Sequence, residues 1–331
     1  METSIGSESV DDPQVSRETT PLAVPTASAI VAGSSGLDDF LDTPIARETQ
    51  AVLRSRAAIS SGSWPRPAQP RVMVVANQKG GVGKTTTTVN LAASLALNKL
   101  NVLVVDLDPQ GNASTALNVE HRSGVTSVYD ALIGEASLLD MAQPVRDVPQ
   151  LSCVPATIDL AGAEVELVPM VAREIRLKRA LAGVIENGGF DYIFLDCPPS
   201  LGLLTVNAFV ASNEVLIPIQ CEYYALEGLG QLLHNIDLVK SQLNPDLDVT
   251  TVLLTMYDGR TRLSAQVAEE VRAHFGDRVL ATVVPRSVRI SEAPSYGQTV
   301  MTYDPGSTGA LSYLEAAKEL AQRIESAEGV R

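Results

Sequence analysis

Two hydrophobic patterns alternate along residues 71–331: short unbroken apolar runs, and stretches in which apolar residues return every three or four positions. The runs are Val72–Val75, Asn101–Asp108, Leu151–Val154, Phe190–Asp196, Glu214–Gln220, Val249–Met256 and Val279–Val284. Runs of this length without polar alternation suit strands covered on both faces, as in a parallel sheet. Helical spacing is predicted after Lys84 (Val89, Leu91, Ala92, Leu95), over Val125–Gly134 and over Ala172–Glu186. Strands alternating with helices predict an α/β fold, a doubly wound and mostly parallel sheet with helices on both faces. Ligands belong at the carboxyl ends of its strands.

The first 70 residues carry neither pattern. They are rich in Ser, Thr, Ala, Pro and acids, and read as a disordered extension. Within them Thr43 and Pro44 open a short helix reaching Arg56, which either docks a partner (a polar or cytoskeletal protein), packs on its own domain, or stays a transient solvated helix. Ser61–Pro70, with Pro65, Pro67 and Pro70, reads as a linker, so the folded domain is expected over 71–331. A chain of 331 residues, 45% of them hydrophobic, can bury one large core.

Charge and cysteine content narrow the setting. With 39 acids against 25 bases the net charge is -14, which excludes a globally basic nucleic-acid coat, so any DNA contact is local. Cys153, Cys197 and Cys221 are odd in number and far apart, suggesting neither a disulfide framework nor a zinc site. Cys197 follows an aspartate of interest, but its apolar run favours packing over reactivity. The start Met1-Glu2-Thr3 lacks a basic signal region, and no run approaches the roughly 20 apolar residues that span a bilayer. A cytoplasmic protein is expected. The basic residues Arg173, Arg176, Lys178 and Arg179 are read as the solvated face of their helix.

The first apolar run ends in Asn77-Gln78-Lys79-Gly80-Gly81-Val82-Gly83-Lys84-Thr85-Thr86. Glycines let the backbone N–H groups around Gly80, Gly81, Val82 and Gly83 converge on a polyphosphate. The following helix adds its positive end, Lys84 reaches the β and γ phosphates, and Thr85 offers its hydroxyl to Mg²⁺. The common P-loop pattern has glycine where this chain has Gln78, and a second lysine, Lys79, stands at the loop's start. The second run ends in Asp106-Leu107-Asp108-Pro109-Gln110-Gly111-Asn112, and the fourth in Asp196-Cys197-Pro198-Pro199-Ser200. Carboxylates at strand ends beside a P-loop meet the Mg²⁺ shell and the attacking water.

These motifs, with Gln220-Cys221-Glu222-Tyr223-Tyr224-Ala225-Leu226-Glu227-Gly228 and Ile290-Ser291-Glu292-Ala293-Pro294-Ser295-Tyr296-Gly297, resemble the ParA/Soj partitioning ATPases, deviant Walker A proteins of the ParA/MinD group. The resemblance runs from about Val72 to Leu320. It implies an Mg²⁺-dependent ATPase that dimerises on ATP, binds DNA non-specifically, is stimulated by a ParB-type centromere-binding protein and is nucleoid-associated, with no membrane attachment. It implies that Lys79 crosses to the partner's nucleotide, that Lys84 and Thr86 hold phosphate and Thr85 magnesium, that Asp108 orients water, and that Asp106 and Asp196 support the metal. It further implies adenine contacts from Asn207, Pro285 and Arg286, and DNA contacts from Arg260 and Arg289. Between Tyr257 and Ile290 six arginines face four acids, a locally basic segment. The family's basic residues are absent from Asp304–Gly309, which weakens that side of the patch.

A MinD-like division regulator is the main alternative. It would end in a basic amphipathic helix, and Leu311–Arg331 has at least as many acids as bases. An iron–sulfur carrier on the same fold needs paired cysteines that are absent here, and a non-hydrolysing adaptor is the third alternative.

Overall fold

A computed structural model describes residues 63–328 apart from Glu135 and Glu227, together with Val52, Leu53, Ala57 and Ser60. Among the described residues eight strands form one sheet: β1 (Arg71–Val75), β2 (Val102–Asp106), β3 (Gln143–Pro144), β4 (Leu151–Val154), β5 (Tyr192–Asp196), β6 (Glu214–Gln220), β7 (Asp248–Tyr257) and β8 (Val279–Pro285). Their order is β3-β4-β2-β5-β1-β6-β7-β8, and all neighbours are parallel except β3 and β4. Between the strands run α1 (Lys84–Leu97), α2 (Asn112–Ala116), α3 (Val128–Ile133), α4 (Leu138–Met141), α5 (Leu160–Leu167), α6 (Arg176–Asn187), α7 (Leu203–Ala211), α8 (Leu229–Gln242) and α9 (Arg262–Phe275). After β8 come α10 (Val288–Glu292), α11 (Val300–Tyr303) and α12 (Thr308–Glu328).

Successive side chains on a strand point to opposite faces, so each strand supplies two layers. Val72 and Val74 of β1, Leu103 and Val105 of β2, and Ile193 and Leu195 of β5 pack with α3 to α9. Met73 and Val75, Val102 and Val104, and Tyr192 and Phe194 pack with α1, α2, α10, α11 and α12. Both faces are dry, which is why the strands read as unbroken apolar runs. From β1 the chain passes to β2 on one side of the sheet and later reaches β6 on the other. This reversal opens a crevice at the carboxyl end of β1.

Three local features differ from the sequence reading. The segment 63–70, read as linker, lies against the domain: Trp64 is 5% exposed within the α1/α12 layer, and Arg66 bonds Asp191 at 2.5 Å. Arg176 is not solvated; it caps the carboxyl end of α3 by donating to the carbonyls of Leu132 (2.7 Å), Ile133 (2.9 Å) and Gly134 (3.0 Å). A 3-10 turn, Arg173–Ile175, also precedes α6. Of the short helix expected over 43–56, Val52 and Leu53 are described and helical, and the rest lies outside the described residues. Val52 Cγ1 would stand 3.1 Å from a Cβ on Gly306, so this residue packs on the domain.

β1 starts from a firm anchor. Arg71 donates to both carboxylate oxygens of Glu214 on β6 at 2.6 Å and to the Leu320 carbonyl at 3.0 Å, joining sheet and α12. Trp64→Ala should destabilise the protein by about 3 kcal/mol, as truncating a buried aromatic does, read as a lower urea midpoint with an unchanged slope.

Candidate active site

The P-loop joins β1 to α1. Gly81 (φ 76°) and Gly83 (φ 90°) take the left-handed conformation open to glycine, and Gly83 precedes α1 without a side-chain cap. The first N–H groups of the helix are thereby left for a ligand. Neighbouring strands hold the loop in place. Asn77 donates to the Pro218 carbonyl (2.8 Å) and accepts from the Lys79 N–H (3.0 Å), while Thr255 of β7 donates to the Val82 carbonyl (2.9 Å).

The loop floors a cavity of about 650 Å³, within the range of small-ligand sites, which Gly80, Gly81, Gly83, Lys84, Thr85, Thr86, Asp108 and Pro199 help line. A second cavity of about 130 Å³ shares Gly83, Thr86 and Met256 with it and reaches Pro285, Arg286 and Tyr313. The phosphate loop therefore adjoins the turn that carries Pro285 and Arg286. Met256, between them, holds φ at 51°, a strained value for a side-chain-bearing residue and of the kind that gathers at functional sites.

Charges inside the site are closely arranged. Lys84 is 8% exposed, and its ammonium approaches the Lys79 carbonyl at 3.4 Å. Burial pulls its pKa down, opposed chiefly by the charge of Asp196 and also by that of Asp108. An anion in the cavity would oppose that shift and favour the charged ammonium. Asp106 and Asp196 are register partners on β2 and β5, and both are fully buried. Burial pushes both carboxyls up, each raised further by a neighbouring acid, while the Thr85 and Thr88 hydroxyls oppose the rise at Asp196.

Their hydrogen bonds separate the two. Asp106 accepts from the Asp108 N–H (3.1 Å), the Ser114 N–H (2.9 Å) and the Ser114 hydroxyl (2.7 Å), so it shapes the 108–114 loop and has little left for a metal. Asp196 accepts from Thr88 (2.8 Å) through Oδ1, and its buried Oδ2 has no partner among the described residues. An orphaned carboxylate oxygen beside the Thr85 hydroxyl fits a hydrated cation. The described residues hold no cluster of three or more His, Cys, Asp or Glu suited to a metal, so these groups would share the ion with phosphate oxygens. Asp108 is 8% exposed on the cavity wall, its carboxylate oriented by the Gln110 N–H at 3.0 Å. Lys79, next in the chain to Gly80 of the cavity lining, has a half-buried side chain with no ion pair among the described residues.

Asn207 is not brought to the site. It is fully buried in α7, where it accepts from the Leu177 N–H (3.1 Å) and donates to the carbonyls of Arg173 (2.8 Å) and Leu203 (3.0 Å). The expected adenine contact is replaced by a tie between α7 and α6. The two arginines expected to contact DNA lie after the adjacent strands β7 and β8, and both are paired with acids. Arg260 chelates Asp258 (2.9 Å), and Arg289 meets Glu292 (3.2 Å) and Asp304 (3.3 Å). Thr88, Ser114 and Thr255 were missed as support. Only Thr88 carried a sequence signal, being one helical turn beyond Lys84. The three cysteines are buried and unpaired, and burial pushes the Cys197 thiol well up, so it is inert.

A strand, a glycine-rich loop and a helix around a buried lysine and strand-end aspartates define a P-loop ATPase, and a family model described as an AAA domain matches residues 70–249. Over 251 residues the chain is 56% identical to the sporulation initiation inhibitor protein Soj of Bacillus subtilis, spanning 76% of this chain and 98% of that one. Over 253 residues it is 50% identical to the chromosome partitioning protein ParA of Caulobacter vibrioides, spanning 76% and 94%. Among solved structures, cobyrinic acid a,c-diamide synthase from Mycobacterium smegmatis with bound ADP and magnesium is similar at TM-score 0.68 and 39% identity, over 78% of this chain and 96% of that one. The chain belongs to the ParA/Soj family of chromosome-partitioning ATPases. No described helix is long and apolar enough to cross a membrane.

Lys84→Ala should weaken ATP binding at least about a hundredfold, as loss of a buried charge partner does, measured by titration calorimetry. Ser114→Ala should leave the nucleotide affinity nearly unchanged but slow hydrolysis on the order of tenfold, because the loop carrying Asp108 loses its hold on Asp106.

Proposed function

We propose that the protein is a switch in which ATP and Mg²⁺ bring two copies face to face, the closed dimer binds DNA non-specifically, and hydrolysis stimulated by a ParB-type protein releases it, driving chromosome or plasmid segregation. The observation that carries this reading is that, among the described residues, an Asp196 oxygen beside the P-loop helix has no hydrogen-bond partner and Lys79 at the start of the loop has no ion pair. The first suits a hydrated cation and the second a phosphate of a facing subunit.

Thr85 and Asp196 would hold the ion, which when bound neutralises charge on the β and γ phosphates. Gly80 to Gly83 and the start of α1 bind the phosphates with backbone N–H groups, and Lys84 sets its ammonium against them. Asp108 positions the attacking water on the cavity wall. Lys79 from the opposite copy adds positive charge where negative charge develops on the phosphate oxygens, so hydrolysis waits on closure.

DNA engagement is arranged as a weak site used twice. Arg260 and Arg289 are exposed, and each must exchange its acid for a phosphate. A dimer doubles the phosphates engaged, and counterion release makes log K scale with their number. Asp304 holds Arg289 at 3.3 Å, at the start of the segment 304–309 in which the family resemblance implies basic residues, so the patch is attenuated in this chain.

The deciding experiment measures ATP hydrolysis with and without DNA and the cognate ParB-type protein. Strong stimulation by both together is expected, and an unchanged rate refutes the switch. Asp108→Ala should accumulate as an ATP-bound dimer on DNA, checked by light scattering and co-sedimentation. Asp304→Asn should strengthen DNA retention. Arg289→Ala should flatten the slope of log K against log salt by about 2, one phosphate contact per copy. Sedimentation with liposomes instead of DNA would favour the MinD-like alternative.

A further inference from the structure

The turn that carries Asp108 is held from two directions, and the Ser114 contact with Asp106 is only the first. His121 supplies the second. The Gly111 N–H donates to the Asp108 carbonyl at 2.8 Å, closing residues 108–111 into a tight turn. Gly111 has φ 62°, and a Cβ there would stand 2.9 Å from His121 Cδ2 and 3.2 Å from the Ala156 carbonyl oxygen. The imidazole therefore lies directly against the bare backbone of the turn. We propose that His121 is a positioning residue for hydrolysis, seating the Asp108 turn through Gly111 and Thr115, an inference that rests on the reading of Asp108 as the group that orients water.

Hydrogen bonds join the ring to the turn as well as packing. A carbonyl only accepts, so His121 Nδ1 donates to the Val119 carbonyl at 2.9 Å, which fixes the orientation of the ring. Nε2 is thereby turned toward Thr115, 3.1 Å from its hydroxyl oxygen. That hydroxyl donates to the Gly111 carbonyl at 2.9 Å, and the Thr115 N–H donates to the same carbonyl at 2.9 Å. Ring, hydroxyl and carbonyl form one chain of contacts that ends in the turn. Thr115 also lines the nucleotide cavity with Asp108, Gln110 and Asn112, so the chain of contacts reaches the cavity wall.

His121 is itself mounted on the sheet. Gln143 of β3 donates through Nε2 to the Glu120 carbonyl (2.8 Å) and accepts the Glu120 N–H through Oε1 (2.9 Å), while β3 pairs with β4 at Gln143 and Cys153. The two-residue edge strand thus fixes the stretch on which the imidazole stands. The His121 side chain is half-buried and is not among the residues that line the nucleotide cavity, so it acts on the turn and not on the nucleotide. A turn that drifts moves the Asp108 carboxylate away from the attacking water. Misplacement of that kind lowers turnover and leaves nucleotide binding in place.

The test measures kcat and KM for ATP hydrolysis by the full chain with Mg²⁺, DNA and the cognate ParB-type protein. His121→Ala should lower kcat about tenfold and leave KM within about twofold of wild type. His121→Gln, whose amide nitrogen can take the place of Nε2 beside Thr115, should recover most of the lost turnover. Thr115→Val keeps the shape of the side chain without its hydroxyl and should slow kcat to a similar degree. Because both groups act along one route, the His121→Ala/Thr115→Val double variant should be no slower than the slower single variant. An unchanged kcat in His121→Ala, a loss confined to KM, no recovery in His121→Gln, or losses that multiply in the double variant overturn the proposal. Asp108→Ala is measured alongside. A wild-type rate there overturns the reading of Asp108, and the role of His121 with it, whereas a slow Asp108→Ala beside a normal His121→Ala overturns the role of His121 alone.

Discussion

Two carboxylates buried side by side at the ends of adjacent strands are the constraint on which the site depends. Asp106 and Asp196 stand in register on β2 and β5 with no exposure, an arrangement that repels unless each finds donors. Asp106 takes three donors from its own loop and in doing so fixes the course of residues 108–114. Asp196 takes one hydroxyl on Oδ1, and its Oδ2 has no hydrogen-bond partner among the described residues. The same pair thus builds the wall that carries Asp108 and leaves a place for a cation. Neither role survives without the other strand, because the parallel register sets the two side by side.

Around that pair the sheet acts as a rigid mount. β1, β5 and β2 are covered by helices on both faces, so the loops at their carboxyl ends have little freedom to drift apart. Thr255 reaches from β7 to the Val82 carbonyl, which couples the phosphate loop to the turn bearing Pro285 and Arg286 through one further strand. Contacts of this kind hold N–H groups in place before a ligand arrives, and electrostatic stabilisation of a transferring phosphoryl group depends on such preorganisation.

The arginines behave differently from the lysines. Lys84 is enclosed and short of a full anionic partner, whereas Arg260, Arg286 and Arg289 are exposed and each already pairs with an acid. Exposed pairs are weak and exchange readily. The chemistry of the pocket is therefore built in, while the outer surface is adjustable, as at Arg289, which both Glu292 and Asp304 hold.

Much of this was legible in the residues themselves. Seven apolar runs appear as strands, because a sheet dry on both faces must be written without polar interruptions. The glycine loop with Lys79 and Lys84 declared its chemistry, since few other purposes need that spacing. The edge strand β3 left no such mark, being two residues long and ending in proline. Long-range contact decided the rest. Trp64 is docked rather than part of a free linker, Arg176 is a helix cap rather than a solvated base, and Asn207 is a buried tie rather than a ligand contact. Periodicity and motif report what a residue's neighbours in the chain require. They are silent on a partner 44 residues away, such as the Leu132 carbonyl that Arg176 meets, and the choice among ligand, cap and ion pair belongs to the fold.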